Sequence, residues 1–263
     1  MVFDLSMFTK PQTSGPIIAT FIGEHGLGKT SLACEFPKPI MVRTEKAIKD
    51  PRLADLVDVS PQCTKFDSVM GFIDVLLNEE HEYKTLVVDT VTSLDTIIQK
   101  EVLETCPKGS SNIMEAHGGF GKALLIVANK HLELIRKCEQ LSAKKNMHVI
   151  FLAHAGPAKV KPADRDEYFK VTLDMDKVSI GHYARYSDLV ALLDRYTVVS
   201  KDEPKAKTGK AQLRLDKGTT RIIKCVHDVT HDAKNSLGIT EPLEYDLGTN
   251  PFAPYLPNIN LDQ

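Results

Sequence analysis

The chain has 263 residues, 42% apolar and 26% charged, a globular composition that excludes a wholly disordered, fibrous or low-complexity protein and suits one large domain or a domain with an appendage. Its 33 Lys and Arg against 35 Asp and Glu leave a net charge of −2, so no global positive field draws it to nucleic acid, and any such contact must come from a local stripe. No apolar run approaches the ~18 residues of a membrane span and the start lacks a signal-peptide pattern, so no membrane association and a cytoplasmic location are expected; five scattered cysteines without a C-x-x-C spacing indicate neither a disulfide framework nor a zinc site.

After a polar lead over residues 1–14, Ile17-Ile18-Ala19-Thr20-Phe21-Ile22 is short, apolar and bounded by glycine, as in a buried parallel strand. A helix is predicted from Lys29 to before Pro37, and a second strand at residues 40–43. Phe66, Val69, Met70, Ile73, Leu76 and Leu77 repeat at the helical period. A strand at residues 85–88 closes on Asp89, and a helix carrying Leu94, Ile97, Ile98 and Val102 follows. Residues 105–121 have the Gly, Ser and Pro content of a flexible loop. A long helix with Leu124, Val127, Leu134, Ile135, Cys138 and Leu141 on one face leads to a buried strand at 148–153. This alternation predicts βαβ units, a mainly parallel sheet and helices on both faces. Beyond an apolar run at 188–193, segments at 196–199, 212–216 and 221–226 read as antiparallel strands on the same core. The expected organisation is thus one α/β domain over residues 15–250, with a nucleotide core at 15–155, a β-rich part at 188–250, and an extended tail from Pro251.

Gly23-Glu24-His25-Gly26-Leu27-Gly28-Lys29-Thr30, followed by Ser31, matches G-x-x-x-x-G-K-[ST] at every fixed position and lies between a predicted strand and helix. Glycines let successive backbone amides converge on phosphate, Lys29 reaches the β- and γ-phosphates, and Thr30 offers a hydroxyl to Mg²⁺. Asp89, at a strand end about 60 residues on, has the placement of the carboxylate that holds the ion, although an Asp before Thr90-Val91-Thr92 also suits a helix cap. Glu45, just past the second strand, is the candidate to orient attacking water; a surface Glu beside Lys46 is the plainer alternative.

On these residues the sequence resembles RecA-type recombinases. Glu45-Lys46-Ala47-Ile48-Lys49-Asp50-Pro51 is similar to the segment that carries their catalytic glutamate, and His154, ending the strand at 148–153, resembles the polar residue that senses the γ-phosphate. His-Ala-Gly at that place is closer to the compact phage-encoded RecA-like ATPases of the Sak type, which assist single-strand annealing. Ala233-Lys234-Asn235-Ser236-Leu237-Gly238 is similar to the finger with which such cores touch ATP across a subunit interface, with Ser236 in place of its arginine and Lys234 left as the cation. The resemblance implies a RecA-like P-loop fold and an ATPase using ATP and Mg²⁺. It also implies self-association into a ring or filament, single-stranded DNA as a partner, an accessory single-strand-binding protein and, for a phage-encoded protein, the bacterial cytoplasm.

Two segments qualify as DNA loops under that reading: residues 105–121 with Lys108, and residues 155–170 with Lys159, Lys161 and Arg165, the latter partly neutralised by Asp164, Asp166 and Glu167. Lys201, Lys205, Lys207 and Lys210 form a cationic turn, either a soluble hairpin tip or an auxiliary patch. Other readings of the P-loop stay open: a motor or loader in replication or packaging, a small-molecule kinase, disfavoured by the absence of an Arg-rich lid, and an assembly module without useful turnover.

Overall fold

The computed structural model describes residues 4, 8, 15–107, 109–164, 166–201 and 213–256. In chain order its elements are β1 (Ile18–Gly23), α1 (Lys29–Cys34), β2 (Pro39–Arg43), β3 (Asp58–Val59), α2 (Phe66–Asn78), β4 (Thr85–Asp89), α3 (Val91–Glu104), α4 (Lys122–Lys145), β5 (His148–Val160), β6 (Tyr168–Leu173), α5 (Lys177–Tyr186), β7 (Leu189–Lys201), β8 (Leu213–Lys224), β9 (Lys234–Asn235) and β10 (Leu243–Tyr245). The described strands form one ten-stranded sheet ordered β10-β8-β7-β1-β5-β4-β2-β3, with β6 added to β5 and β9 to β7. From β7 to β3 every neighbouring pair is parallel, and β8, β9 and β10 are antiparallel additions at the β7 side. This is the α/β class with C-terminal antiparallel strands that the alternation of elements predicts.

Central strands are apolar at successive positions because both faces are covered. Ile18, Ile22, Val88, Val149, Phe151 and Leu192 face the layer built by α2, α3, α4 and Tyr183 of α5. Their alternating neighbours Ala19, Phe21, Val87, Ile150, Leu152 and Ala191 face α1, Leu53 and the segment from Tyr245 to Leu256. Helices therefore cover the two faces unequally: among the described residues α1 is the one α-helix on its side, and irregular chain adds to that layer. The crossover β1–α1–β2 runs one way across the sheet on this face, whereas β4 to β5 and β5 to β7 run the opposite way on the other face. Reversing direction and face together preserves the right-handed crossover. The reversal falls between β1 and β5, where the chain leaves room for a ligand above the strand ends.

Several expectations change. Residues 155–170 are loop only in part: β5 continues to Val160 and pairs with β6 from Ala155↔Leu173 to Val160↔Tyr168, making a hairpin whose described connecting residues lie in no strand. Helix α5 was hidden because Val178, Ile180 and Tyr183 are a sparse apolar set among Lys, His and Arg. Segments 212–216 and 221–226 merge into the single strand β8. The predicted extended tail is folded at its start: Phe252 is fully buried and stacked on Phe21 at 5.5 Å, and Asn250 Nδ2 donates to the Glu35 carbonyl. Two aromatic rings offering that much apolar area outweigh the turn-forming Pro251 and Pro254. Lys108, Arg165, Lys205, Lys207 and Lys210 lie outside the described residues. Four cysteines are buried and Cys106 is half-buried. Among the described residues no cluster suits a metal site of His, Cys, Asp and Glu, and no helix is long and apolar enough to cross a membrane.

Candidate active site

The site begins with what the glycines of the P-loop allow. Gly23 ends β1 so close to β7 that a Cβ would sit 3.0 Å from the Leu193 carbonyl oxygen, and Gly28 adopts φ 93°, a left-handed conformation that costs other residues about 1–2 kcal/mol. Between them Leu27 is buried as the anchor of the loop, while Glu24, His25 and Gly26 are exposed. No side chain caps α1, and its first intrahelical bond is Leu32 N–H to the Gly28 carbonyl at 2.8 Å. The amides of Lys29, Thr30 and Ser31 therefore have no helical acceptor and are free for an anion. Because α1 has only six residues, these local amides rather than a long macrodipole supply the positive potential. Lys29 is buried, and its Nζ donates to the carbonyls of Gly23 (2.7 Å) and Glu24 (2.9 Å). Burial lowers its pKa, and the carboxylates of Asp89, Glu45 and Glu24 oppose that shift without cancelling it.

Strand register brings the remaining groups to the same end of the sheet. Gly23 pairs with His154, and Arg43 with Asp89. Asp89 Oδ2 accepts from Thr30 Oγ1 at 3.1 Å, joining the two residues expected to hold Mg²⁺. Burial pushes the Asp89 carboxyl up to about 6, and nearby Glu45 adds to this, against the opposing effects of Thr30, Lys29 and Arg43. A carboxylate desolvated beside a hydroxyl and short of countercharge is what a hydrated divalent cation relieves, so the residues fit the ion.

Glu45 is placed by Thr44, whose amide donates to the Asp89 carbonyl at 2.9 Å and whose hydroxyl bonds the Thr90 backbone, donating to its carbonyl at 2.8 Å and accepting from its amide at 3.0 Å. This staples the end of β2 to the end of β4. Glu45 Oε1 then accepts from Thr90 Oγ1 (2.7 Å), Ser93 Oγ (2.8 Å) and His154 Nε2 (2.7 Å). Half-burial raises the pKa of Glu45, but the bonds from Thr90, His154 and Ser93 outweigh it and hold the carboxyl below its ordinary range. All three donors use Oε1, so among the described residues Oε2 keeps its lone pairs for water. His154 is fixed in turn by its amide, which donates to Thr92 Oγ1 at 2.9 Å, and its ring lies 4.1 Å from that of His25 in the P-loop.

The cleft enclosed by these groups holds about 370 Å³ and is lined by residues of the P-loop, including Thr30 and Ser31, by Glu45, Asp89 and His154, and on its far wall by Ile48, Arg52, Arg221 and Leu247. Sequence reasoning found the first group and missed the second. Arg221 and Leu247 are nearly 200 residues or more from the P-loop in sequence, and no motif marks them. Thr90, Ser93 and Thr92 carried a signal only as a helix cap: Thr90 Oγ1 does accept from the Ser93 amide. Lys234 does not reach this site. It pairs with Val190, three residues below the Leu193 that flanks Gly23, about 10 Å along the strand, and its Nζ donates to the Arg185 carbonyl at 2.9 Å. Lys159 and Lys161 stand on the hairpin, both ion-paired to Glu167, the second at 2.8 Å.

A family model described as an AAA domain matches residues 16–237, from β1 through β9, and ends before β10 and the segment beyond it. No curated protein matches the chain.

Proposed function

The chain belongs to this AAA-domain family of P-loop ATPases, and from that premise we propose that it binds ATP with Mg²⁺, hydrolyses it, and uses the cycle to act on single-stranded DNA as a self-assembling annealing or strand-exchange protein of the cytoplasm. The observation that best supports turnover is the convergence of Lys29, the Thr30–Asp89 pair and the triply held Glu45 at one end of the sheet. Mg²⁺, when bound, neutralises charge developing on the transferred phosphoryl group, and Thr30 and Asp89 are the residues that would hold it. Lys29 leaves its loop carbonyls for the β- and γ-phosphate oxygens. Glu45 Oε2 accepts a hydrogen bond from water and so orients it toward the γ-phosphate, with His154, Thr90 and Ser93 fixing the carboxylate. A carboxyl held this acidic is a poor acceptor of a full proton, which suits a loose phosphoryl-transfer step that needs positioning more than deprotonation.

Lys234, out of reach of its own P-loop, would serve the site of a neighbouring copy, where a cation offsets developing charge. The DNA part of the proposal rests on the resemblance to RecA-like annealing ATPases. A second reading, a motor or loader activated by a protein partner such as a single-strand-binding protein, is favoured by the pairing of Lys159 and Lys161 with Glu167, which leaves the hairpin with little positive charge. Measuring ATP hydrolysis at fixed moderate salt, with and without an unstructured single-stranded oligonucleotide, separates the two. Stimulation supports the annealing reading; basal turnover that the oligonucleotide does not change refutes it in favour of the second.

A further inference from the structure

The P-loop cleft has a second end. Its γ-phosphate side is marked by Asp89 and His154, on strands to one side of β1, and by Glu45 just past the end of β2. Arg221, on β8, lines the same cleft from the other side. From β4 to β8 there are four strand spacings, roughly 19 Å between the backbones that carry Asp89 and Arg221. A guanidinium on that side lies toward the nucleoside half of a nucleotide whose terminal phosphate is at Glu45. The wall beside it comes from the segment after the family match: Tyr245 OH donates to the Gly28 carbonyl at 3.3 Å, and Leu247 Cδ2 lies 3.0 Å from where a Gly28 Cβ would be.

Arg221 is also short of partners. Its Nε is shut off from solvent with no hydrogen-bond partner, and among the described residues no carboxylate pairs with the guanidinium. Directly across the β7–β8 ladder its register partner is Arg195, which offers no carboxylate. By contrast Arg52, at the same end of the cleft, is already held by Asp50 at 2.6 Å. A half-buried guanidinium whose Nε is shut off from water without a partner is costly unless an anion completes it, and its planar fork matches a phosphate bidentately. We infer that Arg221 binds the α-phosphate of the nucleotide and, with Tyr245 and Leu247, closes the nucleoside end of the cleft. The assignment rests on the nucleotide-binding reading of the P-loop.

Isothermal titration of wild type, Arg221→Gln, Arg221→Lys and Lys29→Ala with Mg²⁺-ADP, Mg²⁺-ATP and Mg²⁺-pyrophosphate tests it. Arg221→Gln is expected to weaken ADP and ATP alike, by about tenfold to a hundredfold. Arg221→Lys recovers part of that loss, because it returns charge without the fork. Pyrophosphate, which occupies only the Lys29 end, keeps its wild-type affinity in both variants and so reports that the P-loop is still folded. Nucleotide affinities within twofold of wild type overturn the assignment. So does weakening of ATP without ADP, which would put the guanidinium at the γ-phosphate, or an equal loss for pyrophosphate. Failure of the underlying reading looks different: no nucleotide binding by wild type, or binding that Lys29→Ala leaves untouched.

Discussion

Replacing His148 by Gln should change how the protein withstands acid, and the size of the change follows from one buried ring. His148 opens β5 and is 6% exposed, and its Nδ1 accepts the Ile17 amide at 3.1 Å, next to the start of the strand that carries the P-loop. Burial pushes the imidazole from 6.5 down to about 4. Between those values the unfolded chain takes up a proton that the folded protein refuses. Stability from this group is therefore complete above pH 6.5, falls as pH drops, and is fully lost below about pH 4. A shift of that size at about 1.36 kcal/mol per unit corresponds to about 3 kcal/mol, a sizeable part of the stability of an ordinary domain. Gln retains an acceptor for the Ile17 amide and does not titrate. Urea unfolding from pH 7.5 to 4 should show wild type losing about 3 kcal/mol more than His148→Gln across the range. Parallel curves for the two proteins would refute the account of His148 as a ring kept neutral by burial.

Glu45→Gln should lower turnover by about 10²-fold or more while leaving nucleotide affinity within a few-fold, as read by steady-state hydrolysis and titration; unchanged turnover would place the water-orienting group elsewhere. Gly28→Ala forces φ 93° on a residue with a Cβ and presses it against Leu247 and Tyr245; a loss of about 1–2 kcal/mol and weaker nucleotide binding are expected from melts and titration. In the helical layer His131 bonds Asp95 Oδ1 (3.0 Å) and Tyr183 OH (2.8 Å), all three buried. His131→Phe, which removes the donor to Asp95 Oδ1 and leaves only Gln99 Nε2 on Oδ2 at 2.6 Å, should cost about 3 kcal/mol, against about 1 kcal/mol for Tyr183→Phe. Glu167→Gln releases Lys159 and Lys161 on the hairpin; if that arm meets single-stranded DNA, the salt dependence of binding should steepen by about two phosphate contacts, and an unchanged slope removes the arm from the interface.

Local rules of the chain were enough for the P-loop and the elements around it. A glycine-bounded apolar strand, a lysine at the start of a helix and an Asp ending the next buried strand each depend on neighbours a few residues away, so the sequence states them openly. Glu45 was legible in the same way, from its place after β2, but the hydrogen bonds from Thr90, Ser93 and His154 that orient it exist only because β2, β4 and β5 are laid side by side. Polar runs misled where long-range pairing overrode local composition. Residues 155–160 and 168–170 flank a stretch rich in Lys and Asp yet pair as strands, since β6 satisfies the backbone of β5 beyond His154. Phe252 lies among prolines yet packs on Phe21. The far wall of the cleft had no sequence signature at all. Arg221 and Leu247 line the same cleft as Gly28 only after β8 pairs with β7 and β10 with β8, because strand pairing brings together residues that no local period or spacing connects.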